Sequence, residues 1–209
     1  ENATDAWPAA KTFTPQFFKD NYGDCTTRFG KQEFTVSQIL DLTEKSTKEN
    51  PAPYPAQFNI LTKMPELLDH MQPLHLNLAT PNWLKAKVLK GKLMNEMDLH
   101  IGGAGNHYAV HKDTYNVHAW LIQLYGEKEV IVFPKDQEPL LYPGKEGLLK
   151  SRSPIDFSNP DYEKYPNYKN ATPIRARLKA GEVMYIPRGV WHTTMAYGQN
   201  ISTIIDQMN

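Results

Sequence analysis

Ala119-Trp120-Leu121-Ile122-Gln123-Leu124, then Tyr125-Gly126-Glu127-Lys128, then Glu129-Val130-Ile131-Val132-Phe133: two apolar runs of strand length flank a glycine. The aliphatic runs are too short for buried helices, and the glycine between them reads as a hairpin turn. Similar short runs surround this stretch. Upstream, Asp98-Leu99-His100-Ile101-Gly102-Gly103 is a strand entering a glycine turn. Downstream come a polar loop rich in proline and tyrosine, then Ile174 to Leu178, Gly181 as a turn, Val183 to Ile186, Trp191 to Met195 and Ile201 to Ile205. Many short strands punctuated by Gly and Pro predict a closed or double-sheet β architecture.

Before residue 98 helical patterns dominate. Thr14-Pro15-Gln16-Phe17-Phe18-Lys19 places a capping threonine before a proline at the first helical position. Thr35 to Leu42 carries apolar residues at helical spacing. Asn50-Pro51-Ala52-Pro53-Tyr54-Pro55 reads as a loop or extended edge, and Met64 to His70 as a short helix opened by proline. The 209 residues suit a single domain, with 1–97 a helical half packed around a β core spanning 98–209.

Lys plus Arg equals Asp plus Glu at 23 each, a balance that argues against a nucleic-acid partner. No apolar run approaches the ~20 residues of a membrane span, and no signal peptide opens the chain. The single cysteine, Cys25, rules out an internal disulfide framework and points to a reducing compartment, the cytosol. The first residue is Glu1 rather than Met, so a preceding segment is expected.

His111-Lys112-Asp113 sets an imidazole and a carboxylate two residues apart, on one face if the backbone is extended. His192, in Pro187-Arg188-Gly189-Val190-Trp191-His192, is a third candidate ligand far enough along the chain to arrive from another strand. Two histidines and a carboxylate leave three coordination positions open, as non-haem iron requires for a keto-acid and oxygen. An H-x-D alone also fits a hydrogen-bonded pair, and His107 and His118 flank this one. Lys128 alternates with Val130 and Val132. Facing inward with them, its ammonium would need an anion such as the distal carboxylate of 2-oxoglutarate; on an edge strand it would face solvent with Glu127 and Glu129.

The ordered string of motifs resembles the JmjC, or cupin-like, oxygenases, most closely the hypoxia-inducible-factor asparaginyl hydroxylase. It runs Ile101-Gly102-Gly103, His111-x-Asp113, Gly126-x-Lys128, Val132-Phe133-Pro134, Leu141-Tyr142-Pro143, Ser153 to Tyr162, Tyr165-Pro166, Gly181 to Pro187 and Trp191-His192. The resemblance implies a mainly β, double-stranded β-helix (a jelly roll) surrounded by N-terminal helices. It implies an Fe(II) centre on His111, Asp113 and His192, with 2-oxoglutarate and O2 as co-substrates and Lys128 on the keto-acid's far carboxylate. Tyr54 resembles a tyrosine that binds the same carboxylate, and is equally a proline-flanked packing residue. Tyr108 stands where the family often has a threonine that helps bind the co-substrate; it either donates the same bond or fills the space. The interval from His111 to Lys128 is longer than in the asparaginyl hydroxylase and is similar to that of JmjC lysyl hydroxylases.

The implied reaction is hydroxylation of a C–H bond with release of succinate and CO2. A protein or peptide side chain is the first expectation for the substrate, and an amino acid or natural product the alternative. A non-catalytic metal-binding cupin is the competing class, and a cupin-type isomerase a weaker one. The last strand runs to the end of the sequence, so a dimer built on C-terminal helices is not expected. Ser202 or Thr203 could reach the co-substrate, depending on register. Trp191 reads as a wall of the metal site, Trp83 as core, Arg175 and Arg177 as solvated, and Cys25 as a buried thiol.

Overall fold

The computed structural model describes residues 3–72 and 97–208. Trp83 therefore lies outside the described residues. The N-terminal half begins with α1 (Ala9–Thr12) and α2 (Pro15–Tyr22). Pro15 occupies the first turn of α2, and Phe17 N donates to the Thr14 hydroxyl at 3.2 Å. A small hairpin follows, β1 (Thr26–Phe29) against β2 (Gln32–Thr35). It interrupts the half whose patterns are mainly helical, and its short polar strands carry no clear alternation. Next is α3 (Val36–Glu44), opened by a capping box in which Gln38 N donates to Thr35 Oγ1 (3.2 Å) and Thr35 N to Gln38 Oε1 (2.9 Å). The proline-rich loop then leads into β3 (Ala56–Asn59), α4 (Ile60–Lys63) and α5 (Leu67–His70).

The second half supplies β4 (Met97–Gly102), β5 (His118–Tyr125), β6 (Glu127–Phe133), β7 (Ile174–Lys179), β8 (Val183–Ile186), β9 (Trp191–Ala196) and β10 (Asn200–Gln207). Together with β3 they form two antiparallel sheets, one in the order β3-β4-β10-β5-β8 and one in the order β7-β6-β9. This is the expected jelly roll with helices at the N-terminal side. The turn at Gly126 departs from expectation. β5 and β6 do not pair with each other; β5 lies between β10 and β8, and β6 between β7 and β9. Glu127 and Lys128, read as turn residues, already belong to β6, leaving Gly126 as the sole connector. A tight hairpin needs two loop residues, so the chain turns a corner into the other sheet instead. Gly126 makes that corner at φ 67°, where a Cβ would stand 2.3 Å from the Gln199 carbonyl oxygen.

Three apolar clusters hold the layers together. Phe13, Phe18, Ile39, Leu40 and Met64 pack on the outer face of the five-stranded sheet, against Leu99, Ile101, Ile122 and Ile205. Ile131, Phe133 and Trp191 meet Leu141 and Phe157 behind the three-stranded sheet. Between the sheets, Ala119, Leu121, Val130, Leu178 and Ile186 form the inner layer. Full burial of each large aliphatic side chain contributes about 1.5–3 kcal/mol. The inner layer closes only part of the space, and the remainder is the cavity described next.

Candidate metal centre and its cavity

The two histidines are brought together by backbone pairing. His111 N donates to His192 O at 2.9 Å, and His192 N to His111 O at 2.8 Å. This isolated bridge sets their rings side by side, centroids 4.4 Å apart. Asp113 follows two residues later, just before a 3-10 turn at Thr114–Asn116, and its Oδ1 lies 3.5 Å from His111 Nε2 and 3.8 Å from His192 Nε2. The three ligand atoms all fall within 4.8 Å of one another.

Both rings are oriented from behind. His111 Nδ1 lies 2.8 Å from Ala109 O and His192 Nδ1 3.1 Å from Val190 O. A carbonyl only accepts, so each Nδ1 carries a proton and each Nε2 is turned toward Asp113. Burial, then His111, pushes the His192 pKa down to about 4 against the opposing pull of Asp113. Burial alone would raise Asp113, but the His111 hydrogen bond and the two imidazoles outweigh it and hold the carboxyl below its ordinary value. Two imidazole nitrogens and one carboxylate on one side of a point form a donor set suited to a divalent metal with open positions.

The triad opens on a cavity of about 210 Å³. Lys128 lines its other end. It sits in the middle strand of its sheet, opposite Leu178 and Ala196, with 3% of its surface exposed. The inward placement is therefore the observed one. Glu127 and Glu129 point out, where they pair with Arg177 (2.6 Å) and Arg175 (2.9 Å), so those arginines are exposed but engaged. Lys128 Nζ donates to Ser202 Oγ at 2.7 Å, and burial pushes its pKa down to about 7. Ser202 is thus the inward residue of the Ser202/Thr203 alternative. Thr203 Oγ1 instead donates to Asp98 O at 3.0 Å.

Tyr54 and Tyr108 both line the cavity. Burial pushes the Tyr54 phenol up to about 12, opposed by its hydrogen bond with Thr194. Tyr108 stacks edge-on to His111 at 4.7 Å, and its hydroxyl accepts a 2.9 Å hydrogen bond from Arg152 Nη2. The guanidinium also lies over the Tyr108 ring, 5.2 Å from the centroid.

Several cavity residues escape the sequence reading. Arg152 lies in the long loop, where no periodicity marks it, and backbone pairing with His111 brings it in. His100 is held neutral, its pKa pushed down to about 3 by burial and then by Lys128; Gln57 Nε2 donates to its Nε2 at 3.2 Å. Asp206 is pushed up to about 8 by burial, then by Asp113 and Asp98. Its inward side was legible in principle, since Ser202, Ile204 and Asp206 alternate. Trp191, expected as a wall of the metal site, is fully buried but packs behind the three-stranded sheet instead, because it alternates with the inward His192 along β9; Lys112 Nζ lies 4.9 Å from its ring centroid while reaching both Glu138 oxygens at 3.1 Å. Cys25 is half-buried rather than buried and lies away from the cavity.

The cupin-like domain family matches residues 1–205. The chain belongs to that family. Relatives include JmjC domain-containing protein D of Dictyostelium discoideum, 30% identical over 66% of this chain and 32% of that protein. HSPB1-associated protein 1 of Bos taurus is 31% identical over 57% of this chain and 24% of its own length. Lysine-specific demethylase 8 of Xenopus tropicalis is 24% identical over 97% of this chain and 46% of its own. This cupin-like chain thus spans less than half the length of these relatives. No helix among the described residues is long and apolar enough to cross a membrane.

Proposed function

We propose that this protein is an Fe(II)- and 2-oxoglutarate-dependent oxygenase that hydroxylates a C–H bond of a protein or peptide side chain. The observation that carries the reading is one cavity holding both a His-Asp-His set and a buried lysine. A metal-binding module needs the first but not the second. His111, Asp113 and His192 would hold the iron through Nε2, a carboxylate oxygen and Nε2. Iron and 2-oxoglutarate together supply the activation of O2, with succinate and CO2 released.

The chain's own part is to bind, orient and exclude water. Lys128 pairs with the far carboxylate of the keto-acid, with Ser202 holding its ammonium in place. His192 stands opposite Val132 and Lys128 opposite Ala196, so metal end and lysine end are four residues apart along β6. That is about 13 Å, of which the lysine arm spans part and an extended five-carbon diacid fits the rest. Tyr54 offers its phenol, kept protonated, to the same carboxylate. Leu121, Ile186 and Ile204 line the walls and keep the space between apolar. The side-chain substrate class is supported by relatives named for residues of proteins, the Arabidopsis thaliana arginine-specific demethylase JMJ22 and lysine-specific demethylase 8. A cytosolic location is proposed on the single cysteine.

Succinate formation from 2-oxoglutarate, with Fe(II) under air, tests the reading. The wild type should form it, and His111→Ala or Asp113→Ala should abolish it. Tight zinc binding with no 2-oxoglutarate turnover would replace the reading with that of a non-catalytic metal-binding cupin.

A further inference from the structure

The inner face of the five-stranded sheet carries a polar row at the level of Lys128. Gln57 on β3 stands opposite His100 on β4, and His100 stands opposite Ser202 on β10, the residue that accepts from Lys128 Nζ. Side chains directly opposite one another on one face begin about 5 Å apart, so the row and the lysine arm from the facing sheet converge on one space. Gln57, His100 and Lys128 all line the cavity. Lys128 and Tyr54 serve the co-substrate's far carboxylate, and His100 stands beside them without a task. Only 7% of its surface is exposed. An apolar residue at this position would match the Leu121, Ile186 and Ile204 walls; a histidine backed by a glutamine instead buries two polar groups.

Gln57 Nε2 donates to His100 Nε2 at 3.2 Å, so that nitrogen supplies its lone pair and the neutral ring carries its proton on Nδ1. Among the described residues Nδ1 has no hydrogen-bond partner. A buried donor without an acceptor is unfavourable. Lys128 cannot relieve it, because an ammonium only donates. Burial, and then the nearby ammonium, instead keep the ring neutral. The deep end of the cavity therefore gathers an ammonium and a ring N–H whose common complement is an anion with several lone pairs. The two oxygens of a carboxylate offer about four acceptor positions, enough for Lys128, Tyr54 and His100 together. A keto-acid ending in a methyl group offers none.

We propose that His100, its ring fixed by Gln57, is a further co-substrate-binding residue whose Nδ1–H donates to the far carboxylate that Lys128 pairs with. That this carboxylate belongs to 2-oxoglutarate rests on the oxygenase reading, but the contact itself can be tested by binding without turnover. Gln57 is a positioning residue that acts only through the ring.

The test titrates two keto-acids calorimetrically into the full chain loaded with Mn(II) without oxygen: 2-oxoglutarate, and 2-oxobutyrate, which keeps the metal-chelating end and lacks the far carboxylate. His100→Leu should weaken 2-oxoglutarate by about tenfold or more, the scale of one hydrogen bond to a charged group, and leave 2-oxobutyrate within about twofold. The unchanged 2-oxobutyrate affinity separates loss of the contact from loss of the fold or of the metal end. His100→Asn, which sets an amide N–H near the position of Nδ1, should return 2-oxoglutarate to within about threefold of the wild type. Equal weakening of both keto-acids, unchanged 2-oxoglutarate affinity in His100→Leu, the same loss in His100→Asn as in His100→Leu, or a wild type that binds 2-oxoglutarate no more tightly than 2-oxobutyrate would overturn the assignment. Succinate formation by the wild type in air reports separately on the oxygenase reading: a His100-dependent affinity with no succinate would sink that reading and leave the carboxylate contact standing.

Discussion

Lys128 puts a charge where burial opposes it. Its folded pKa of about 7 lies below the ordinary lysine value of 10.5, so between those values the unfolded chain binds more protons than the folded one. Stability contributed at this site therefore rises with pH across that window, and the cost of the buried ammonium is fully present below pH 7. Lys128→Met should stabilise the protein without co-substrate by on the order of 1 to 3 kcal/mol at pH 6, as replacement of buried charges by apolar groups often does. The gain should shrink toward pH 9, which urea unfolding at the two pH values would show. The same substitution should remove 2-oxoglutarate binding. A carboxylate beside the ammonium raises its pKa again, so binding should take up a proton above pH 7 and weaken as pH rises further. Calorimetry in two buffers of different ionisation enthalpy reads that proton directly. Side-chain type and spacing marked the triad and Lys128 as candidates in the sequence, and the resemblance carried by the ordered motifs favoured the metal and inward placements over a hydrogen-bonded pair and an outward lysine. Arg152 and Asp98 were not, because only folding sets them against the cavity.

Among the elements, the corner at Gly126 shows where local reading ends. Apolar runs around a glycine describe a hairpin and a sheet-to-sheet corner equally well. What separates them is the connector's length, and Glu127 and Lys128 belong to β6 only because β7 and β9 are there to pair with it. Gly126→Ala places a methyl group against the Gln199 carbonyl in a backbone region unfavourable to side chains. It should cost about 2 kcal/mol or more, seen as a lower denaturation midpoint with an unchanged m-value. β10 shows the converse. Its sequence alternates cleanly, yet two alternations were possible, and the pairing of Ser202 with His100 puts Ser202, Ile204 and Asp206 on the inner face, where Ser202 meets Lys128 and the other two line the cavity. The β1–β2 hairpin was hidden for another reason: strands of four polar-rich residues lack an apolar period.

The whole molecule is organised around one face of each sheet. Helices α1 to α5 and their apolar cluster back the five-stranded sheet, leaving its other face to carry Asp98, His100, Ser202 and Asp206. The three-stranded sheet brings Lys128 and His192 to meet them. Because the ligands come from two backbone segments joined by the His111–His192 bridge, metal binding should favour the folded chain. Mn(II) at 100 times its dissociation constant should add about 2.7 kcal/mol and raise the melting temperature by roughly 5–10 °C. His192→Ala should abolish that shift. A closed or double-sheet β architecture was foreseeable from short punctuated strands, and the jelly roll from the motif resemblance; the polarity of its interior required the register.

The most direct test of the account is a crystal structure of the protein soaked without oxygen in Mn(II) and 2-oxoglutarate. The account predicts one metal ion held by His111 Nε2, Asp113 and His192 Nε2, chelated by the keto-acid end. The far carboxylate should lie about 2.7–2.9 Å from Lys128 Nζ. Metal bound elsewhere, or 2-oxoglutarate absent from the Lys128 end of a metal-loaded cavity, would contradict it.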